Sequence, residues 1–191
     1  MARMPADRFH RLLGWWVVLA ATVELLAMLL NELGVHNVLL YNLYWPVEFV
    51  LLLALSHALH PWPRPVLLTL SGGFLAAWAI NLSLIDPAAR LVNTSVIMGA
   101  LLLTALYLLR LWHLANTLQA RLRNSAAYWL CLAVLVYYGA AAPLLGSINY
   151  FLEVDTTLAQ GLFRITQVLF LLKFALMGTA CLRARTPVST T

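Results

Sequence analysis

The sequence predicts an all-α fold: a polytopic membrane helical bundle of six transmembrane helices with both termini cytoplasmic. Three observations carry this expectation. First, 63% of the 191 residues are hydrophobic and only 10% are charged, against about a quarter charged in soluble domains. Mean hydropathy is +0.85. Second, the length accommodates about six spans of ~20 residues with short connections and leaves no room for a soluble catalytic domain. Third, the arginines segregate. Arg3, Arg8, Arg11, Arg64, Arg110, Arg121, Arg123, Arg183 and Arg185 fall on one side of a six-span arrangement. Arg90 and the start of the sixth span fall on the other, with Glu32, Asp86, Glu153 and Asp155. By the positive-inside rule the arginine-rich side is cytoplasmic, and the expected location is the cell inner (plasma) membrane.

The chain reads as a single transmembrane domain with spans at about 12–31, 37–59, 66–84, 91–112, 126–145 and 158–182. A basic segment, MARMPADRFHR, precedes the first apolar run. That run is too long for a signal-peptide core and lacks a small-x-small cleavage site before Asn31, so it reads as a span. Gly34 ends the first helix. The second contains Pro46, which frees a carbonyl one turn earlier and leaves the bundle to satisfy it. The triple-proline loop HPWPRP stops it.

The third span carries Ser71, Gly72, Gly73, Ala76 and Ala77, small residues that let another helix approach closely. Asp86, Pro87 and Arg90 mark the next turn. The fourth span opens with Asn93, Thr94 and Ser95, and the mixed segment HLANTLQARLRNS extends it along the interface. The fifth carries Tyr137 and Tyr138 and is expected to end near Pro143 and Gly146, followed by a loop, SINYFLEVDTT. The sixth contains Arg164, Gln167 and Lys173.

The net charge of +5 comes from basic residues scattered singly at helix ends, a topology signal that implies no nucleic-acid partner. Cys131 and Cys181 have no partner at motif spacing, so neither a disulfide framework nor a zinc site is implied. His57 and His60 stand at i, i+3 without a third ligand in view; no metal and no cofactor is expected. The common hydrolase, metalloprotease, P-loop and dinucleotide motifs do not occur.

Chemistry concentrates in the second span. Asn37, Tyr41, Tyr44 and Glu48 are spaced i, i+4, i+7, i+11, which places them on one helical face. An ionisable side chain inside a span is costly and marks a functional site by default. Glu24, Glu48, Arg164 and Lys173 all qualify. At ~1.5 Å per residue, Glu48 and Lys173 come within about 2 Å of the midplane and can pair, while Arg164 lies about 11 Å nearer the outer side. Arg164 and Lys173 are nine residues apart, on opposite sides of their helix. Both can face one pocket only if the sixth helix is central to the bundle or at an oligomer interface. Asn31, Asn42, Asn81, Asn93 and Tyr150 add polarity to the outer half, whereas the inner half is nearly pure Leu, Ala and Val. This asymmetry suggests a polar cavity open to the outer side.

The segment Tyr44-Trp45-Pro46-Val47-Glu48-Phe49 resembles a set of small bacterial polytopic membrane proteins. They carry a Y-x-x-x-E-F core in the second span, preceded by Asn residues. The likeness extends over the helix order, the Asn93 region and Tyr137-Tyr138. It implies a fold and no activity. Pro46-Val47-Glu48 is also similar to the P-x-E-E element of membrane lycopene cyclases. Phe49 stands where the second acidic residue belongs, which leaves that chemistry without its partner.

Three functional expectations follow. The first is a non-enzymatic membrane protein that binds a small molecule or lipid in the outer-facing cavity for transport or sensing. Its expected ligand-binding residues are Glu48, Lys173, Tyr44, Tyr41, Glu24, Arg164, Gln167 and Asn37, with Arg164 meeting an anionic ligand. The second is an intramembrane enzyme acting on an isoprenoid or lipid with Glu48 as general acid. The third is a subunit or scaffold that meets another membrane protein or a second copy of itself. The lipid bilayer is a partner in all three.

Overall fold

The computed structural model describes residues 6–85 and 93–184. Six long helices follow one another: α1 (Ala6–Glu32), α2 (Val38–Leu59), α3 (Arg64–Ile80), α4 (Asn93–Leu118), α5 (Ala126–Val154) and α6 (Thr156–Ala184). A π-helical turn, Asn81–Ile85, prolongs α3, and a 3-10 turn, Gln119–Asn124, follows α4. Each of the six helices carries a stretch long and apolar enough to cross a membrane. The expected turn at Asp86, Pro87 and Arg90, the opening of the fourth span at Leu91, and the termini carrying Arg3 and Arg185 lie outside the described residues.

Local chemistry explains the element ends. Gly34 closes α1 with φ +70°, a left-handed conformation that glycine adopts without a Cβ penalty. Pro65 sits in the first turn of α3, where its missing N–H has no helical partner to lose. The Asp155 carboxylate accepts the Thr157 N–H at 2.9 Å and the Leu158 N–H at 3.2 Å. It thereby N-caps α6 and satisfies two donors that the first turn leaves unpaired.

Two boundaries differ from the sequence expectation. α1 begins at Ala6 rather than near Leu12. More substantially, SINYFLEVDTT is not a loop: α5 continues through Pro143 and Gly146 to Val154, and α6 starts at Thr156. The 29 residues of α5 reach about 43 Å at 1.5 Å per residue, well beyond a hydrocarbon core of about 30 Å. Its polar last turns need not be membrane-embedded to be helical, and membrane helices accommodate an internal proline readily.

α5 packs most extensively on α6 and α4, α2 packs on α1 and α4, and α1 also reaches α6. Half of α2's apolar stretch is buried but only 11% of α3's, so α2 is central and α3 peripheral. The core centres on Trp45, Phe49 and Phe74. Phe49 and Phe74 stack with ring centroids 3.8 Å apart, and Trp45 meets Phe74 and Tyr138 edge-on or tilted. Buried Gly99 of α4 lets that cluster approach, since a Cβ there would stand 2.6 Å from Phe74 Cε2.

The proline in α2 finds the partner its sequence position demands. Pro46 cannot donate to the carbonyl of Asn42 one turn earlier, and that carbonyl accepts the Trp78 indole N–H of α3 at 2.9 Å. On α4, Tyr107 donates its hydroxyl to the Leu52 carbonyl at 2.9 Å.

The end of α2 is fastened by a buried arginine. Arg110 of α4 donates through Nη2 to the carbonyl of the C-cap residue His60 at 2.6 Å and through Nε to Ser56 Oγ at 3.3 Å. Its guanidinium lies 3.9 Å from the Trp62 ring centroid. Trp62 in turn donates its indole N–H to Ser56 Oγ at 3.1 Å and its main-chain N–H to His57 Nδ1 at 2.9 Å. A cation on the last carbonyls of a helix also meets the negative end of its dipole. The apolar inner half that the sequence suggests therefore holds a dense polar knot.

Candidate functional site: a buried ion pair in an aromatic cage

On α1 the residues Leu13, Trp16, Ala20, Val23 and Ala27 are buried, a stripe at helical spacing that faces the bundle. Asn42, Trp45, Glu48, Phe49 and Leu52 form the corresponding face of α2. On α6, Thr166, Lys173, Met177 and Ala180 turn inward. These three stripes bring Trp16, Glu48 and Lys173 together.

Lys173 Nζ lies 3.1 Å from Glu48 Oε1, and the Trp16 indole N–H donates to the same oxygen at 3.1 Å. Glu48 is 3% exposed and Lys173 1%. Desolvating two charges is expensive, and the attraction between them offsets this only with good geometry and further hydrogen bonds. Here the further stabilisation comes from rings. The ammonium lies 4.1 Å from the Tyr137 centroid and 4.8 Å from that of Phe170. It stands 5.6 Å from Tyr138 and Phe174 and 5.8 Å from Trp16. All five are inside the ~6 Å reach of a cation–π interaction. Lys173 thus occupies an ammonium-binding cage built from α1, α5 and α6, with Glu48 as its counter-ion.

A second carboxylate approaches from the side. Glu24 of α1 is half-buried, accepts the Tyr41 hydroxyl at 3.1 Å, and lies within electrostatic reach of both Lys173 and Glu48. One ammonium therefore faces two carboxylates. The buried Tyr44 and Tyr138 hydroxyls make no hydrogen bond of full geometry among the described residues, but both turn toward the Glu48 carboxylate closely enough to interact with it.

Of the residues singled out in the sequence, Glu48, Lys173, Glu24, Tyr41 and Tyr44 meet in this cluster. Arg164 and Gln167 are exposed on α6, away from the inward face that carries Lys173. α6 lies at the rim of the described bundle, with Phe163, Ile165, Val168 and Leu171 exposed, so the central position that would let Arg164 and Lys173 share a pocket is not adopted. Asn37 precedes α2, accepts the Tyr41 main-chain N–H at 3.2 Å through its carbonyl, and makes no side-chain capping bond. Asn81 is buried and its side chain accepts the Ser95 N–H at 2.9 Å, a link between α4 and the end of α3. His57 and His60 have separate surroundings: His57 accepts from Trp62, and His60 packs on His113 with centroids 4.7 Å apart.

Sequence reasoning passed over Trp16, Phe170 and Phe174, and noted Tyr137 and Tyr138 without a role. Trp16 was discoverable, because it is the one large polar-edged ring in a stripe otherwise of Leu, Ala and Val. The cage rings carried no such mark, since aromatic residues in apolar helices are ordinary core. Among the described residues, two clefts of note lie elsewhere. One, about 450 Å³, is lined by Arg8, His57, Arg64 and apolar neighbours; the other, about 390 Å³, lies beside Pro143 and Gly146. Neither is lined by Glu48 or Lys173. No protein-family model, no curated protein and no solved structure matches the chain.

Proposed function

We propose that this chain is a multi-pass inner-membrane protein, with both termini cytoplasmic, that binds a small molecule or lipid for transport or sensing at the Glu24–Tyr41 side of the Glu48–Lys173 cluster. One observation carries the reading: a half-buried carboxylate, Glu24, and the tyrosine bonded to it stand beside a sealed ion pair. The ion pair forms the floor, and Glu24 and Tyr41 are the members a ligand can touch. Two carboxylates against one ammonium favour a cationic or hydrogen-bond-donating ligand, so the anionic ligand expected from Arg164 gives way to one carrying an amine or hydroxyl. Glu48 already accepts from Lys173 and Trp16 and is closed to solvent, which favours binding over a general-acid role.

Native mass spectrometry of the gently purified protein, beside Glu24→Gln and Glu48→Gln, tests this. A specific small molecule retained by the wild type and lost from Glu24→Gln is the expected result. Equal occupancy and stability in all three samples would reduce the cluster to packing. A second membrane protein held at fixed stoichiometry would favour the scaffold role.

A further inference from the structure

The cleft of about 450 Å³ lies between α1, α2 and α3 and is lined by Arg8, Val50, Leu53, Ala54, His57, Ala58, Arg64, Leu67 and Ser71. Its volume is within the range of ligand-binding clefts, ~300–1,000 Å³. Its chemistry is divided along its length. Arg8, His57 and Arg64 gather where α2 ends and α3 begins, and Arg8 lies within electrostatic reach of His57. His57 Nδ1 accepts the Trp62 N–H, which leaves Nε2 as the donor of the neutral ring. Val50, Leu53, Ala54 and Leu67 line the remainder. Ser71 donates its hydroxyl to the Leu67 carbonyl and so offers no free donor to the cleft.

We propose that this cleft binds an anionic phospholipid, its phosphate held by Arg8, His57 and Arg64 and one acyl chain lying along Val50, Leu53 and Leu67. None of the described lining residues is acidic, so among them the charge complementarity is one-sided. From Ala58 to Val50 the α2 wall runs about 12 Å at 1.5 Å per residue, within one leaflet of a hydrocarbon core ~30 Å thick. The lateral wall is α3, the least buried of the six spans, so the cleft is flanked by the helix most exposed to the bilayer. A basic pocket between transmembrane helices at headgroup level is the arrangement that recognises anionic lipid. This site shares no residue with the Glu48 cluster, and either assignment can fail without the other.

The test uses the full chain in mild detergent, with phosphatidylglycerol, phosphatidylcholine of the same acyl composition, and inorganic phosphate as separate probes. Retention is read by native mass spectrometry and stabilisation by thermal unfolding. Phosphatidylglycerol is expected to bind about tenfold more tightly than phosphatidylcholine, the size that headgroup-level basic contacts supply. The Arg8→Gln/Arg64→Gln variant should lose that preference, and Ala54→Phe, which fills the apolar part, should weaken retention of both lipids. Arg123→Gln removes a charge elsewhere and should keep the preference. Persistence of the preference in the double arginine variant, its equal loss in Arg123→Gln, or stabilisation by inorganic phosphate as large as by phosphatidylglycerol would each overturn the proposal.

Discussion

Trp78 donates its indole N–H to the main-chain carbonyl of Asn42 at 2.9 Å, the acceptor that Pro46 leaves without a helical donor. A defect written into α2 by one residue is repaired by a side chain of α3, and this hydrogen bond joins the Phe49–Phe74 stack in setting the register of the two helices. Trp78→Phe should destabilise the protein by about 1–3 kcal/mol, the range for a buried acceptor left bare. In a Pro46→Ala background the helix supplies its own N–H, and the same substitution should lose most of its effect. Thermal unfolding of the four proteins in detergent measures the coupling; strict additivity would refute the link.

The Glu48–Lys173 pair makes a prediction of opposite form. Lys173→Met leaves a buried carboxylate uncompensated, and removing one member of such a pair costs about 3–5 kcal/mol. Glu48→Gln together with Lys173→Met should be more stable than Lys173→Met alone, because the stranded charge is gone. If ligand binding fails in the double variant while its melting temperature recovers, the pair acts in function beyond holding the helices.

Arg110 should not be replaceable by lysine. Its Nε and Nη2 bonds to Ser56 and His60 and its stacking on Trp62 use the planar fork that an ammonium lacks. Arg110→Lys should cost about 1.5–3 kcal/mol and expose the 60–64 connection to limited proteolysis. Wild-type protection of that connection would remove the arginine's fastening role.

Two helical glycines should respond in opposite directions. At Gly99 a Cβ would meet Phe74 Cε2 at 2.6 Å and Trp45 Cζ2 at 3.1 Å, and Phe74 is held by its stack on Phe49. Gly99→Ala should destabilise by about 1–3 kcal/mol through overpacking. At Gly139 the nearest atom would be Thr104 Cγ2 at 3.7 Å, an ordinary contact. Gly139→Ala should be neutral or stabilising by up to ~1 kcal/mol from helix propensity. Melting temperatures of the two variants decide it.

His60 introduces a pH dependence outside the spans. Its pKa is lowered from 6.5, first by burial and then by the charges of Arg110 and His113. The unfolded chain then binds a proton more readily than the folded one, so stability rises with pH in this window. The contribution is complete above about 6.5 and is lost as pH falls through and below that value. His60→Asn should flatten the acid side of a melting-temperature profile between pH 7 and pH 5; an unchanged slope would place the sensitivity elsewhere.

Composition and the length of the apolar runs determined that this chain is an all-α protein with six helices able to cross a membrane. Local residue chemistry marked Gly34 and the HPWPRP turn. Spacing on α2 placed Tyr41, Tyr44 and Glu48 on one face, with Asn37 just ahead of the helix rather than on it, and depth along α2 and α6 made Glu48 and Lys173 neighbours in height. These are properties of single helices, fixed by a period of 3.6 residues and a rise of 1.5 Å. Tertiary structure alone decided which faces meet: that Trp16 shares the Glu48 oxygen with Lys173, that rings from three helices enclose the ammonium, that Arg164 looks outward, and that Arg110 ties α4 to the end of α2. Which residues meet across helices depends on the rotation and neighbour order of the whole bundle. In a chain this uniformly apolar, hydrophobic periodicity is too weak to specify either, because almost every face can be buried or lipid-exposed at similar cost.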